Sequence, residues 1–98
     1  MRKKGIKVEA VDRLFDAIMS LRNKEEYYEF FEDICTTNEV LAIAQRLEVA
    51  EMLYAEKTYN EIAEETGAST ATISRVNRSI NSGNGSYDLV FERLNNSN

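Results

Sequence analysis

Six residues between positions 58 and 80 have spacings that strongly restrict how the backbone can fold. They are Thr58, Glu61, Ala63, Gly67, Ile73 and Val76. The first two match a capping box, in which each side chain bonds the other residue's main-chain NH at a helix start. Two helices that cross at about 90–120° need a small residue at the crossing point, and Ala63 provides it. Gly67 permits the positive φ at which a helix ends and the chain turns.

A second helix is expected to begin just after this turn, at Ser69 and Thr70, because short hydroxyl side chains cap helix starts. Ile73, Val76 and Ile80 then recur at three- and four-residue steps, so one side of that helix faces a core. The combination predicts a helix-turn-helix over residues 58–80. A plain helical hairpin is the alternative that the spacing leaves open.

The rest of the chain also favours helices. The whole chain has no proline and only four glycines, so little interrupts helix formation. Apolar residues recur at helical spacing over residues 8–21, 27–34 and 40–54, and a last apolar run covers residues 89–94. We therefore predict an all-α fold of about six helices.

The chain's length predicts one domain. Its 98 residues form a single expected domain over 1–98, with flexible ends at about 1–7 and 95–98. Asn23 is expected to cap the helix that directly follows it, the second along the chain. Ser86 is expected to cap the last helix, which should end near Leu94. The segment 81–86 is expected to be a loop because it is rich in asparagine, serine and glycine.

Two helices carry broad apolar sides. We expect the long third helix to bury Val40, Leu41, Ile43, Ala44, Leu47, Ala50, Leu53 and Tyr54. The second helix has four aromatic residues in five positions, too wide a stripe for one narrow seam: Tyr27, Tyr28, Phe30 and Phe31. Packing on two sides, as in an interlocked dimer, and an ordinary thick helix core are both consistent with this stripe.

Composition argues against an enzyme or a metal site. The chain lacks histidine, the commonest general base and metal ligand, and it has no nucleophile motif, glycine-rich phosphate loop or metal-ligand cluster. The single cysteine, Cys35, is read as a small buried side chain in a reduced, cytoplasmic protein. No apolar run reaches membrane-spanning length, so no membrane association is expected.

The charge is distributed unevenly along the chain. The net charge is −5, and residues 8–68 hold fifteen acidic and five basic residues. Residues 69–87 hold no acid at all, which is the requirement for a surface that faces phosphates. A basic N-terminal arm of Arg2, Lys3, Lys4 and Lys7 could also reach phosphates, or could be a solvated flexible terminus.

The second helix of the motif has the side chains of a helix that enters a DNA major groove. Its first residues are short, so the helix start can approach base edges closely, and hydroxyls and methyls can read those edges. Arg75 and Arg78 follow and could pair with phosphates, or could be solvated surface. The candidate DNA-binding residues are Tyr59, Asn60, Ser69, Thr70, Ala71, Thr72, Ser74, Arg75 and Arg78.

Residues 36–80 resemble the tryptophan repressor superfamily, and most of all its YerC/YecD group of tryptophan-repressor-like proteins. The resemblance is carried by Gln45-Arg46-Leu47, by Asn60-Glu61-Ile62 and by the run from Gly67 to Arg75. It implies an intertwined homodimer whose two helix-turn-helix units enter successive major grooves of double-stranded DNA. A palindromic operator with half-sites about one helical turn apart would follow.

The resemblance also implies a candidate effector pocket, formed by Thr36, Arg46, Arg75, Val76 and Ser79. In tryptophan repressors the indole lies between two arginines that match Arg46 and Arg75, and the residue after the second arginine is glycine. Here that residue is Val76, whose side chain would occupy the indole's space at a cost of roughly 1–3 kcal/mol. We therefore expect no response to tryptophan, while another small-molecule corepressor, or none, fits the sequence.

The leading hypothesis is a sequence-specific DNA-binding transcriptional regulator, a repressor that acts as a dimer. The alternative is a helical protein-interaction module that uses the same helix-turn-helix surface without reading DNA, which the acidic body of the chain favours. No cofactor and no catalytic residue are predicted in either case.

Overall fold

The structure, a computed structural model, describes residues 8–96. Over these residues the chain forms six helices and no strand, which confirms the all-α prediction. The helices are α1 (Val8–Met19), α2 (Lys24–Ile34), α3 (Thr37–Tyr54), α4 (Tyr59–Thr66), α5 (Thr70–Ser82) and α6 (Ser86–Asn96). The basic residues Arg2, Lys3, Lys4 and Lys7 lie outside the described residues, as do positions 97 and 98.

The chain divides into two compact units, Met1–Thr37 and Asn38–Asn98, and the expectation of one domain over residues 1–98 stays a prediction. The first unit contains α1 and α2. Asn23 caps α2 as predicted, because its Oδ1 accepts a 2.9 Å hydrogen bond from the main-chain NH of Glu26. The rings of Phe30 and Phe31 meet edge to face on α2, with their centres 5.9 Å apart. None of the helical residues in α1 or α2 is fully buried within the chain.

The second unit contains the hydrophobic core, to which α3, α4 and α5 all contribute. Its fully buried side chains are Val49, Ala50, Ile62, Ala68, Ile73 and Val76. Every one is apolar, so the core is held by the hydrophobic effect and close packing. Partly buried residues of α3 to α6 surround it, namely Met52, Leu53, Ala63, Ile80, Tyr87 and Phe91. This core supports the inner side of the helix-turn-helix.

The last helix is attached to the end of α3 by aromatic rings and a hydrogen bond. The rings of Tyr54 and Phe91 meet edge to face with their centres 4.9 Å apart, and Tyr87 stacks on Phe91 with ring centres 6.0 Å apart. The Tyr54 hydroxyl also donates to the carboxylate of Asp88.

Three helix boundaries differ from the sequence expectation. The loop before α6 covers only residues 83–85, because α5 continues through Ser82 and Ser86 is already helical rather than a cap. The helix α6 also runs to Asn96, beyond the expected end at Leu94. Composition marks where a helix can end, but tertiary packing and local hydrogen bonds decide the last residue.

The expected buried side of α3 is partly wrong. Leu41, Ile43 and Leu47 are exposed in the single chain, whereas Val49, which the periodicity did not single out, is completely buried. The reason is that apolar residues surround much of α3, so the sequence pattern cannot tell which of them this chain covers itself. Cys35 is likewise half-buried rather than buried.

No helix within residues 8–96 is long and apolar enough to cross a membrane. The same residues contain no cluster of acidic or cysteine side chains suited to hold a metal ion.

Candidate nucleic-acid interface

The capping box predicted at the start of α4 is present with both hydrogen bonds. The main-chain NH of Glu61 donates to Thr58 Oγ1 at 3.2 Å, and the main-chain NH of Thr58 donates to Glu61 Oε1 at 2.9 Å. Chiefly because the ionised carboxylate accepts the hydrogen bond from the main-chain NH of Thr58, the pKa of Glu61 is held below its ordinary value. The box fixes where α4 begins and therefore the position of Tyr59 and Asn60 in its first turn.

The turn between α4 and α5 is built as the sequence predicts. Gly67 has φ +73°, and its main-chain NH donates to Ala63 O at 2.9 Å. A side chain at this φ would be strained, which explains why glycine stands there.

Three hydrogen bonds of Thr66, which the sequence pattern does not predict, hold this turn. The Thr66 hydroxyl donates to Ile62 O at 2.7 Å and accepts from the main-chain NH of Ala68 at 3.0 Å. Gln45 Nε2, from α3, donates to Thr66 O at 3.1 Å. These bonds join the two sides of the turn and attach it to α3. No local spacing links Gln45 to Thr66, since they are 21 residues apart.

Ser69 is the N-cap of α5. Its Oγ accepts a 3.1 Å hydrogen bond from the main-chain NH of Thr72, and the two hydroxyl oxygens also lie 3.1 Å apart. Ile73 and Val76 are buried on the inner side of the helix. Their burial fixes the rotation of α5 about its own axis, so the opposite side is turned to solvent.

The predicted DNA-binding residues lie at the starts of α4 and α5, except that Arg75 and Arg78 lie further along α5. Exposed among them are Tyr59, Asn60, Ser69, Thr70, Ala71, Arg75 and Arg78, while Thr72 and Ser74 are half-buried. Apart from Tyr59 and the arginines these side chains are small, so the start of α5 presents little bulk. The nearest acids along the sequence are Glu65 before α5 and Asp88 after it. The surface therefore combines two arginines with the start of α5. The first turn of α5 contains no acid, and the helix dipole makes this end positive.

The candidate effector residues are placed as follows. Arg46 is half-buried on α3, Arg75 is exposed, and the Ser79 hydroxyl donates to Arg75 O at 3.2 Å. Val76 is only 1% exposed and belongs to the core. Thr36 belongs to the first unit, where it is exposed.

The family model for the Trp repressor protein matches residues 9–95. This chain belongs to the Trp repressor family. The resemblance inferred from the sequence is therefore confirmed, and the family is one of regulatory DNA-binding folds rather than of enzymes.

Three relatives agree with this membership. YerC of Bacillus subtilis (strain 168), an uncharacterized protein, is 55% identical over 84 residues, which are 86% of this chain and 81% of YerC. The crystal structure of a TrpR-like protein from Eubacterium eligens ATCC 27750 has 60% identity and a TM-score of 0.90, and covers 96% of this chain and 97% of its own. The crystal structure of a provisionally named Trp repressor from Staphylococcus aureus has 49% identity and a TM-score of 0.89. The match covers 97% of this chain and 95% of the Staphylococcus aureus chain.

Proposed function

We propose that this protein is a sequence-specific DNA-binding transcriptional repressor that acts as a homodimer on a palindromic operator. The helix α5 enters the major groove, with Thr70, Ala71 and Ser74 at the base edges. Arg75 and Arg78 pair with phosphates, and Tyr59 and Asn60 approach the backbone from the start of α4.

The observation that carries the proposal is the contrast between the two sides of α5. Its inner side is fixed by buried Ile73 and Val76, while its outer side presents short side chains and two arginines within an acid-free segment. A helix held in this way can enter a groove without bending or rotating. The net charge of −5 disfavours binding through any other broad surface, because DNA repels an acidic body.

Exposed apolar side chains support the homodimer. Large hydrophobic residues are exposed outside the helix-turn-helix, among them Met19 on α1, Tyr28 on α2, Leu41 and Ile43 on α3, and Leu94 on α6. Soluble monomers seldom expose so many, and a second copy of the chain would cover them. A two-fold dimer places its two α5 helices about 34–36 Å apart, so each operator should contain two inverted half-sites at that spacing.

The burial of Val76 supports a repressor that does not respond to tryptophan. The Val76 side chain packs with Val49 and Ile73 in the core and is 1% exposed. Making room for an indole beside it would require core side chains to move. We propose that Arg46 and Ser79 now support the helix-turn-helix.

Selection of bound fragments from random double-stranded DNA tests these points together. The unaltered protein is expected to enrich one inverted repeat, and the enriched sequence should be the same with and without added tryptophan. Enrichment of a single unrepeated half-site would contradict the dimer. Enrichment only when tryptophan is present would contradict the role given to Val76.

A failure to enrich any sequence, together with no shift of mixed DNA at low salt, would favour the protein-interaction module. Size measurement by light scattering separates this outcome from a failure to dimerise. A protein that is dimeric and still does not bind DNA would overturn the assignment of α5.

A further inference from the structure

The loop between α5 and α6 consists of Gly83, Asn84 and Gly85, and all three residues are exposed. Gly85 has φ +78°, and Asn84 has no regular secondary structure. No hydrogen bond within residues 8–96 holds the Asn84 carboxamide. The side chain of Asn84 is therefore free to rotate towards the main chain that follows it.

Every other asparagine in residues 8–96 is held differently. Asn23 caps α2 through its own carboxamide oxygen. Five others lie within helices, where the next main-chain nitrogen is fixed by helical geometry, namely Asn38, Asn60, Asn77, Asn81 and Asn95, and Asn96 is the last residue of α6. Only Asn84, among these residues, is followed by glycine. Because glycine has no Cβ, nothing shields the nitrogen of Gly85 from the preceding side chain.

We propose that Asn84 and Gly85 form a site of spontaneous deamidation, with water as the co-reactant. The main-chain nitrogen of Gly85 loses its proton to a solvent base and attacks Cγ of Asn84. A bond forms between this nitrogen and Cγ, the bond from Cγ to Nδ2 breaks, and ammonia leaves after taking a proton from solvent. The product is a cyclic succinimide.

Water then adds to either carbonyl carbon of the succinimide and opens the ring. One opening gives aspartate at position 84, and the other gives isoaspartate, in which the main chain runs through the former side chain. The overall change consumes one water, releases one ammonia and involves no oxidation or reduction. This inference rests on the loop alone and does not depend on the proposed function.

Both products change the segment of main chain just before α6. The new carboxylate is the first acid between residues 69 and 87, and it lies two residues before the first residue of α6. Isoaspartate also adds a methylene group to the main chain just before Gly85. The carbonyl of Gly85 accepts a 3.3 Å hydrogen bond from the NH of Leu89, so the first turn of α6 should loosen in that product.

Incubation of the full-length folded protein at mildly alkaline pH, followed by peptide mapping, tests the proposal. The peptide that contains Asn84 should gain the mass difference between an amide and an acid, and should separate into two isomers. Half of the Asn84 amide should be lost before any other asparagine changes measurably. The rate should rise with pH because the deprotonated nitrogen of Gly85 is the nucleophile.

Asn84→Gln is the matched control, since it keeps the carboxamide but requires a larger ring that closes more slowly. Its peptide should remain unchanged over the same period. Faster conversion of another asparagine than of Asn84 would overturn the site. Formation of aspartate without isoaspartate would overturn the succinimide route, because direct hydrolysis of the side chain gives only that product.

Discussion

The side-chain amide of Gln45, in the middle of α3, donates a 3.1 Å hydrogen bond to the carbonyl oxygen of Thr66, the last residue of α4. The hydroxyl of Thr66 in turn accepts from the main-chain NH of Ala68, on the far side of the turn. The helix α3 therefore holds the turn of the helix-turn-helix through a polar contact, while the core holds it through apolar contacts. These hydrogen bonds help to fix the orientation of α4 and α5.

Replacing Gln45 by leucine should weaken the attachment of the turn to α3. The substitution keeps a similar volume but removes the donor, so the part-buried carbonyl of Thr66 loses its protein partner. We expect a loss of roughly 1 kcal/mol in the free energy of unfolding. We also expect weaker DNA binding, because the angle between α4 and α5 becomes less fixed.

Urea unfolding and DNA titration at one protein concentration measure the two effects of Gln45→Leu. Glu48→Gln is the control, since Glu48 lies one turn further along α3 and is exposed. It should change stability by less than about 0.5 kcal/mol. Equal behaviour of the two variants would show that the Gln45–Thr66 bond does not support the turn.

Short-range patterns in the sequence were sufficient for the helix-turn-helix itself. The capping residues Thr58 and Glu61 and the turn residue Gly67 act within one or two turns of the backbone, so their spacing determines their geometry. The bond from Gln45 to Thr66 could not be predicted, because it depends on how α3 packs against α4. The same holds for Tyr54 and Asp88, which are 34 residues apart.

The exposure of Leu41 and Ile43 shows a second limit of the sequence pattern. Hydrophobic periodicity predicts that a helix face avoids water, but it does not say which chain covers that face. The prediction that these residues are buried was wrong for the single chain. A chain this short has few residues with which to cover α3, and a partner subunit would supply more.

The capping box predicts how stability depends on pH. Folding lowers the pKa of Glu61 through its hydrogen bonds to Thr58. The carboxylate therefore contributes stability above its unfolded pKa, near 4.5, and this contribution is lost as the pH falls through the lower folded pKa. The unaltered protein should lose stability on acidification relative to Glu61→Gln, which keeps an acceptor for the NH of Thr58 but does not titrate.

Unfolding by urea at several pH values, at one protein concentration, measures this difference. Thr58→Ala should lower the free energy of unfolding by about 1 kcal/mol at neutral pH, because the NH of Glu61 loses its acceptor. Thr58→Ser retains the oxygen and should stay near the unaltered protein. Parallel pH profiles for the unaltered protein and Glu61→Gln would argue against an ionised Glu61 in the box.

The contact between α3 and α6 has a signature at alkaline pH. The hydrogen bond to Asp88 first, and then desolvation and the charge of Asp88, raise the pKa of Tyr54 to about 12. Tyr54 should therefore ionise after tyrosines without such a partner, as shown by the difference in tyrosinate absorbance between the unaltered protein and Tyr54→Phe. The contribution of this contact to stability should be complete below pH 10 and lost as the pH rises through about 12.

Asp88→Asn tests the cause of the Tyr54 shift. The substitution removes the negative charge, so the pKa of Tyr54 should move down towards its ordinary value of 10.0. An unchanged late ionisation in Asp88→Asn would assign the shift to desolvation of the Tyr54 hydroxyl instead.

Arg75 and Arg78 provide the most direct test of the surface that α5 presents. Both are exposed and lie in the acid-free segment. If each pairs with a phosphate, Arg75→Ala and Arg78→Ala should each weaken binding on all sequences alike. Each should also reduce the slope of log affinity against log salt by about 2, because the dimer loses one phosphate contact from each of its two subunits. Substitution of Thr70, at the start of α5, should instead change which sequence is preferred.

Fluorescence titrations of a selected operator and of an unrelated duplex, over a series of salt concentrations, distinguish these effects. Arg22→Ala is the charge-matched control, because Arg22 is exposed and lies in the first unit, outside the helix-turn-helix. It should leave the salt slope unchanged, since no phosphate contact is removed. A double variant, Arg75→Ala with Arg78→Ala, that keeps both the affinity and the salt slope would place the DNA-binding surface elsewhere on the molecule.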